Sequence, residues 1–128
     1  MHYGLWLGAT VSTFVLGFLW YGPFMFHKAW CAANGLPEDF QAGHPVRVFG
    51  ISFIFAALAA GAYAHLFGFG EDIAEATLHG AAAGAAFAAT SFGINYQFAG
   101  RSFKLFLIDG GYHTVQFALY GLIFAAFH

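Results

Sequence analysis

Four stretches of the chain, at about residues 3–21, 46–67, 73–96 and 103–127, each carry nearly the run of apolar residues that a membrane-spanning helix needs. A helix requires roughly 20 such residues to cross about 30 Å of hydrocarbon. Of 128 residues, 60% are hydrophobic and only 8% are charged, whereas about 25% are charged in an average soluble domain. We therefore expect an all-α polytopic membrane protein in which residues 1–128 form a single domain with four transmembrane helices.

The segment after the first span predicts a short additional helix. Gly22 and Pro23 end the first span, because proline lacks a backbone donor and disfavours helical geometry in the residue before it. Residues 24–33 are too few and too polar to cross a membrane again, so we expect a short helix that lies in the interface. Trp20 and Tyr21 match the aromatic belt that is found at membrane interfaces.

The basic residues predict the orientation. Lys28 and Arg47 lie between the first two spans, Arg101 and Lys104 lie between the last two, and the chain has no other lysine or arginine. The positive-inside rule then places both connections in the cytoplasm and both termini outside. A formal net charge of −2 offers no basic surface for nucleic acid, so we expect no nucleic-acid partner.

The last span carries a polar stripe at helical spacing. Its members, three or four residues apart, are Asp109, Tyr112, His113, Gln116 and Tyr120. Ionisable groups inside a bilayer are costly enough to indicate function, and Asp109 with His113 would form a proton-accepting or cation-binding pair. The structural alternative is that Asp109 only binds the indole, hydroxyl or basic group of a neighbour, such as Arg101 or Lys104.

Other polar groups reach a similar depth on the second and third spans. Ser52 lies on the second span, and Thr90, Ser91 and Asn95 lie on the third. These positions predict an internal polar pocket shared with the stripe.

Small residues predict where helices approach closely. The glycines that we expect at helix–helix contacts are Gly4, Gly8, Gly80, Gly84, Gly110 and Gly111. The third span should be the most closely packed, because residues 80–88 form a ridge almost without side chains. The Gly110-Gly111 pair beside Asp109 predicts either close approach or local unwinding of the helix.

A metal site would be built on the outer side. Glu75 and His79 are four residues apart and share a helix face, and His65 ends the second span. Two or three candidate ligand residues do not by themselves define a metal site. Cys31 is the only cysteine, and the sequence has no HExxH, Gly-x-Ser-x-Gly, phosphate-binding or dinucleotide motif. We therefore expect no cofactor and favour a protein that is not an enzyme.

Two segments resemble a known family. They are Trp20-Tyr-Gly-Pro-Phe-Met-Phe-His-Lys-Ala-Trp30 and Arg101-Ser-Phe-Lys-Leu-Phe-Leu-Ile-Asp-Gly-Gly-Tyr-His113. Both resemble the small bacterial integral membrane proteins of the domain-of-unknown-function 1761 family. The resemblance implies four transmembrane helices and a place in the bacterial inner membrane, with the termini then periplasmic. It implies no activity and no catalytic residues.

Three functions remain open on the sequence. The first is a homo-oligomer in the lipid bilayer that binds or passes a small solute, ion or proton through the polar stripe. The second is an accessory or structural subunit of a larger membrane complex. The third is a membrane-embedded enzyme or a metal- or cofactor-binding protein.

Overall fold

A computed structural model describes residues 3–68 and 72–127, and these residues form an all-helical chain. The elements are α1 (Tyr3–Trp20), α2 (His27–Asn34), α3 (Pro45–Phe67), α4 (Ile73–Ala83), a π-helical turn (Gly84–Ala89), α5 (Thr90–Phe98) and α6 (Phe103–Phe127). The π turn joins α4 to α5 without a break, so residues 73–98 form one continuous rod. The prediction of an all-α fold is confirmed.

The helix ends follow from local sequence. Gly35 ends α2 and Gly100 follows α5, each at a φ of +70° that favours glycine. Pro45 occupies the first turn of α3, where its missing N–H is not needed, and the His44 side chain accepts a backbone hydrogen bond in the same turn. Asp72 caps α4 by accepting from two backbone N–H groups of its first turn.

The helix boundaries agree closely with the sequence prediction. The last helix covers residues 103–127 as predicted, and the predicted helix after the first span is α2. Within the described residues, α1 and α3 are long and apolar enough to cross a membrane. The other two predicted spans are not among these helices: the π turn divides residues 73–98 into shorter α-helices, and α6 carries the polar stripe that includes Asp109, His113 and Gln116.

Helix α6 lies at the centre of the bundle and is antiparallel to α1 and to the rod of residues 73–98. Tyr21 near the end of α1 meets Asp109 near the start of α6, whereas Thr13 meets Tyr120 farther along. The rod also runs antiparallel to α6, since Gly80 lies against Phe117 whereas Gly84, farther along the rod, lies against the earlier residue His113. This arrangement brings the four basic residues, which lie on α2, at the start of α3 and around the α5–α6 turn, to one end of the bundle.

Glycines set the closest helix contact, which lies between α4 and α6. A Cβ at Gly80 would lie 2.8 Å from the carbonyl carbon of Phe117, and one at Gly121 would lie 2.8 Å from that of Ala76. The two backbones therefore touch where side chains are absent. Gly4 and Gly8 differ, because a Cβ at either position would have no atom within 4 Å, so among the described residues no other helix packs closely at these two sites.

Candidate functional site

Asp109 is the buried acidic residue of α6, and two tyrosines bind it. Its side chain is 8% exposed. The Tyr21 hydroxyl donates to Oδ1 at 2.6 Å, and the Tyr96 hydroxyl donates to Oδ2 at 2.5 Å. These donors come from the end of α1 and from α5, so the carboxylate joins three helical segments. Both donors are neutral hydroxyls, and neither compensates the charge of an ionised carboxylate.

The backbone beside Asp109 is held by close contacts rather than unwound. The Trp20 indole donates to the carbonyl oxygen of Ile108 at 2.9 Å. A Cβ at Gly111 would lie 3.0 Å from the Trp20 ring, and one at Gly110 would lie 3.1 Å from Cβ of Ala89. Helix α6 is continuous through both glycines, so of the two predicted roles the structure shows close approach. Trp20 and Tyr21, predicted for an aromatic belt, both bind α6.

Beyond Asp109, the stripe residues His113, Gln116 and Tyr120 form a chain of hydrogen bonds. Nδ1 of His113 pairs with Oε1 of Gln116 at 2.6 Å, and Nε2 of Gln116 donates to the Tyr120 hydroxyl at 2.7 Å. That hydroxyl also pairs with Oγ1 of Thr13 on α1 at 2.6 Å. With the Gln116 amide oriented so that its oxygen faces His113, Nδ1 of the neutral imidazole donates this hydrogen bond and Nε2 is left as an acceptor.

Tyr112, the remaining member of the stripe, points towards α1. Its hydroxyl donates to the backbone oxygen of Thr13 at 2.8 Å. Its ring packs edge-on against His113, and Phe92 stacks on the same imidazole with ring centres 4.9 Å apart. His113 is therefore positioned between two aromatic rings.

Two cavities meet at His113. The first, which we name the α2 cavity, has a volume of about 360 Å³ and is lined by Tyr21, His27, Trp30, Phe92, Asp109, Tyr112 and His113. The second, the α3 cavity, has a volume of about 410 Å³, and its lining includes Thr13, Ser52, Phe92, Tyr112, His113 and Gln116. Both volumes fall in the range of small-molecule sites. Asp109 and His113 thus face one cavity, and His113 with Gln116 faces the other.

The predicted shared polar pocket is only partly present. Ser52 lines the α3 cavity, but Thr90, Ser91 and Asn95 are exposed and line neither cavity. The hydroxyls of Thr90 and Ser91 donate to carbonyl oxygens of their own helix at 2.6 Å. The prediction was wrong for these residues because it rested on depth along the helices, and depth does not say which face of a helix a residue occupies.

The residues of the predicted metal site do not form a cluster. Across residues 3–68 and 72–127, no three His, Cys, Asp or Glu side chains lie together in a way that could hold a metal ion. Glu75 lies in the first turn of α4. His79 lines a cavity next to Leu66 and Phe67, while His65, one residue earlier, is exposed on α3 and is not part of that lining.

Sequence reasoning missed Tyr21, Tyr96 and Trp30 as neighbours of the stripe. Helical spacing relates residues of one helix, and these three come from α1, α5 and α2. The position of each residue along its helix offered a usable signal. Because α1 and the rod of residues 73–98 run antiparallel to α6, the end of α1 and the end of α5 lie beside the start of α6, where Asp109 is.

Comparison with known proteins identifies the family. No curated protein and no solved structure matches the chain. One family matches residues 5–125, and it is described as "Protein of unknown function (DUF1761)". The matched region contains both segments on which the resemblance was based and nearly all of the chain. The chain therefore belongs to the DUF1761 family of proteins of unknown function.

Proposed function

We propose that this protein is a four-span protein of the bacterial inner membrane that binds or passes a small solute, ion or proton at Asp109 and His113. The observation that carries the proposal is that both side chains line the α2 cavity. They lie one helical turn apart on α6, the helix that the other segments surround.

The lengths of the two remaining helical segments support four spans. At 1.5 Å per residue, the rod of residues 73–98 and helix α6 are each nearly 40 Å long, which exceeds the roughly 30 Å of the hydrocarbon core. The outward surface is apolar, with Leu66 74% exposed, Phe87 70% exposed and Phe98 90% exposed. The polar stripe faces the bundle interior instead, as intramembrane polar groups do.

The placement of the basic residues supports the orientation. They lie at the end of the bundle where α1 and α5 end and where α3 and α6 begin. By the positive-inside rule this end is cytoplasmic, and both termini are periplasmic. Asp109 then lies about 9 Å along α6 from its cytoplasmic start, and His113 lies about 15 Å along it.

Helix α1 supports assembly into a homo-oligomer. Gly4 and Gly8 leave open space within the chain, and Leu7 and Val11 beside them are exposed. Spaced small residues of this kind allow a second helix to approach closely in lipid. Native mass spectrometry of protein released from its own membrane would test this, because a homo-oligomer has a whole multiple of the chain mass. A different polypeptide in the complex would instead indicate an accessory subunit.

Asp109 differs from the rest of the stripe in a way that favours binding over a purely structural role. Gln116 and Tyr120 bind each other and also His113 and Thr13 within the bundle, which is the arrangement of groups that join helices. Asp109 borders a cavity, and its two partners are neutral. An ionised carboxylate there retains a net charge for a proton or a cation to neutralise.

The test is ion and proton flux in proteoliposomes. Purified wild type, Asp109→Asn and the control Asp39→Asn, an exposed loop carboxylate, would be reconstituted with internal pH and cation dyes under an imposed membrane potential. We expect flux in wild type and Asp39→Asn and its loss in Asp109→Asn. Equal flux in all three proteins refutes the proposal, as does a failure of Asp109→Asn to assemble together with unchanged flux in His113→Asn.

A further inference from the structure

We propose that the α2 cavity binds a compact organic ammonium ion, a proposal that rests on the proposed function and names its ligand class. The argument combines three features of the cavity: a buried carboxylate, walls of aromatic rings and a volume suited to a small molecule. No other cavity described above combines all three.

The buried carboxylate supplies the charge preference. Asp109 is more than nine-tenths buried and lines the cavity. Each oxygen accepts one hydrogen bond, from Tyr21 or Tyr96, whereas the two oxygens of a carboxylate together accept about four. The ionised group would carry a negative charge that neither hydroxyl neutralises and would keep accepting capacity, which favours a cation over an anion or a neutral solute.

The aromatic walls determine which kind of cation fits. Tyr21 contacts Trp30 edge-on with ring centres 6.1 Å apart and contacts Tyr112 with centres 5.2 Å apart. Phe92 stacks on His113 and continues the wall. Ring faces attract cations, and alkylated ammonium groups are the ligands for which aromatic enclosures are used.

Inorganic cations fit this lining less well. Metal cations such as Ca²⁺ and Mg²⁺ take about six or more oxygen ligands, whereas the side chains lining the cavity that could ligate a metal are one carboxylate, two tyrosine hydroxyls and two imidazoles. An alkylammonium ion spreads its charge over methyl and methylene groups, so it needs one counter-charge and apolar contact. The volume of about 360 Å³ is in the range of small-ligand sites.

The organic ammonium group has two possible sources, a free solute and the headgroup of a membrane lipid. Binding would first be measured by calorimetry in a sugar-headed detergent that carries no ammonium group, at about pH 8, where imidazoles are ordinarily neutral. The probes are choline and its neutral isostere 3,3-dimethyl-1-butanol. We expect choline to bind at least about tenfold more tightly than the isostere, because charge and cation–π attraction distinguish them.

Variants locate the site. Asp109→Asn should abolish choline binding. Trp30→Leu should weaken it about tenfold, whereas Trp30→Phe keeps a ring face and should retain most of the affinity. Phe18→Leu is the control, since Phe18 lines a different cavity beside α1 and α3. If Asp109→Asn does not fold, the comparison of Trp30→Leu with Trp30→Phe still tests whether an aromatic ring at this position binds choline.

Nanodiscs then separate the two sources. If a lipid headgroup is the occupant, adding phosphatidylethanolamine to discs of phosphatidylglycerol should weaken choline binding by competition. If a free solute is the occupant, the lipid change should leave choline affinity unaltered. Either result supports an ammonium site.

Equal affinity for choline and its isostere, or no choline binding in folded wild type, overturns the proposal. So does choline binding that survives both Asp109→Asn and Trp30→Leu. Flux that still depends on Asp109 would in those cases leave the proposed function in place and exclude only the ligand class. The absence of both flux and choline binding in folded wild type would refute the two proposals together.

Discussion

Replacing Gly80 by alanine tests the close contact between α4 and α6. A Cβ at this position would lie 2.8 Å from the carbonyl carbon of Phe117 and 3.0 Å from Cα of Ala118. The carbonyl oxygen of Phe117 would be closer still. Carbon atoms in good contact are about 3.5 to 4.0 Å apart, so the helices must separate by roughly 0.7 to 1.2 Å. The opposing atoms belong to the backbone and cannot rotate away.

The expected loss of stability follows from two opposing terms. Overpacking of this kind costs about 1–3 kcal/mol, and the upper end applies because backbone must move. Alanine gains about 0.5–1 kcal/mol over glycine within a helix. We therefore expect Gly80→Ala to lower the free energy of unfolding by about 2 kcal/mol, which is roughly a thirtyfold change in the folding equilibrium.

The measurement is reversible unfolding by sodium dodecyl sulfate in mixed micelles, followed by circular dichroism and tryptophan fluorescence. Gly50→Ala is the matched control, because a Cβ at this site would have no atom within 4 Å. We expect it to match or slightly exceed wild type. If Gly80→Ala is as stable as this control, α4 and α6 do not pack through their backbones, and the reasoning fails.

Two further stability predictions concern polar contacts. Tyr21→Phe removes one hydroxyl donor from the buried Asp109 carboxylate, so it should lower the free energy of unfolding by about 1–3 kcal/mol in the same micelle assay. Tyr96→Phe should act in the same direction, and wild-type stability in both variants would mean that neither hydroxyl supports the carboxylate. Asp72→Ala removes the cap of α4 and should cost about 1 kcal/mol, whereas Asp39→Ala in an exposed loop should change little; equal losses would contradict a capping role.

Much of the fold was predictable because it depends on features that lie close together in the chain. The boundaries of α6 coincide with an apolar segment that starts after Gly100 and Arg101, and α2 follows directly from the break at Gly22 and Pro23. The π turn was not predictable in this way. Residues 84–89 are glycine, alanine and one phenylalanine, so their pattern carries no signal that distinguishes a π turn from an α-helix.

The site was predictable only along one helix. Asp109, His113 and Gln116 lie on one face of α6 because they are three or four residues apart. This spacing can be read from the sequence. The partners of Asp109 depend on the register between helices, which local spacing does not encode. Tyr21 is 88 residues away in the chain and Tyr96 is 13 away, yet both donate to the same carboxylate. Gly4 and Gly8 illustrate the converse, since small residues allow a close contact without specifying a partner.

The packing of α6 also determines where the carboxylate can be. Gly110 and Gly111 directly follow Asp109, and they admit Ala89 and the Trp20 ring to about 3 Å of where a Cβ would be. Those contacts draw the rod and the end of α1 against α6 at the level of Asp109, which brings the two tyrosine hydroxyls within hydrogen-bond distance of its oxygens. A larger residue at either glycine would push one of these segments outward and lengthen a hydrogen bond that the carboxylate needs. The glycine pair and the acidic residue therefore act as one unit, because close backbone packing is what allows a carboxylate to be buried among neutral donors beside a cavity.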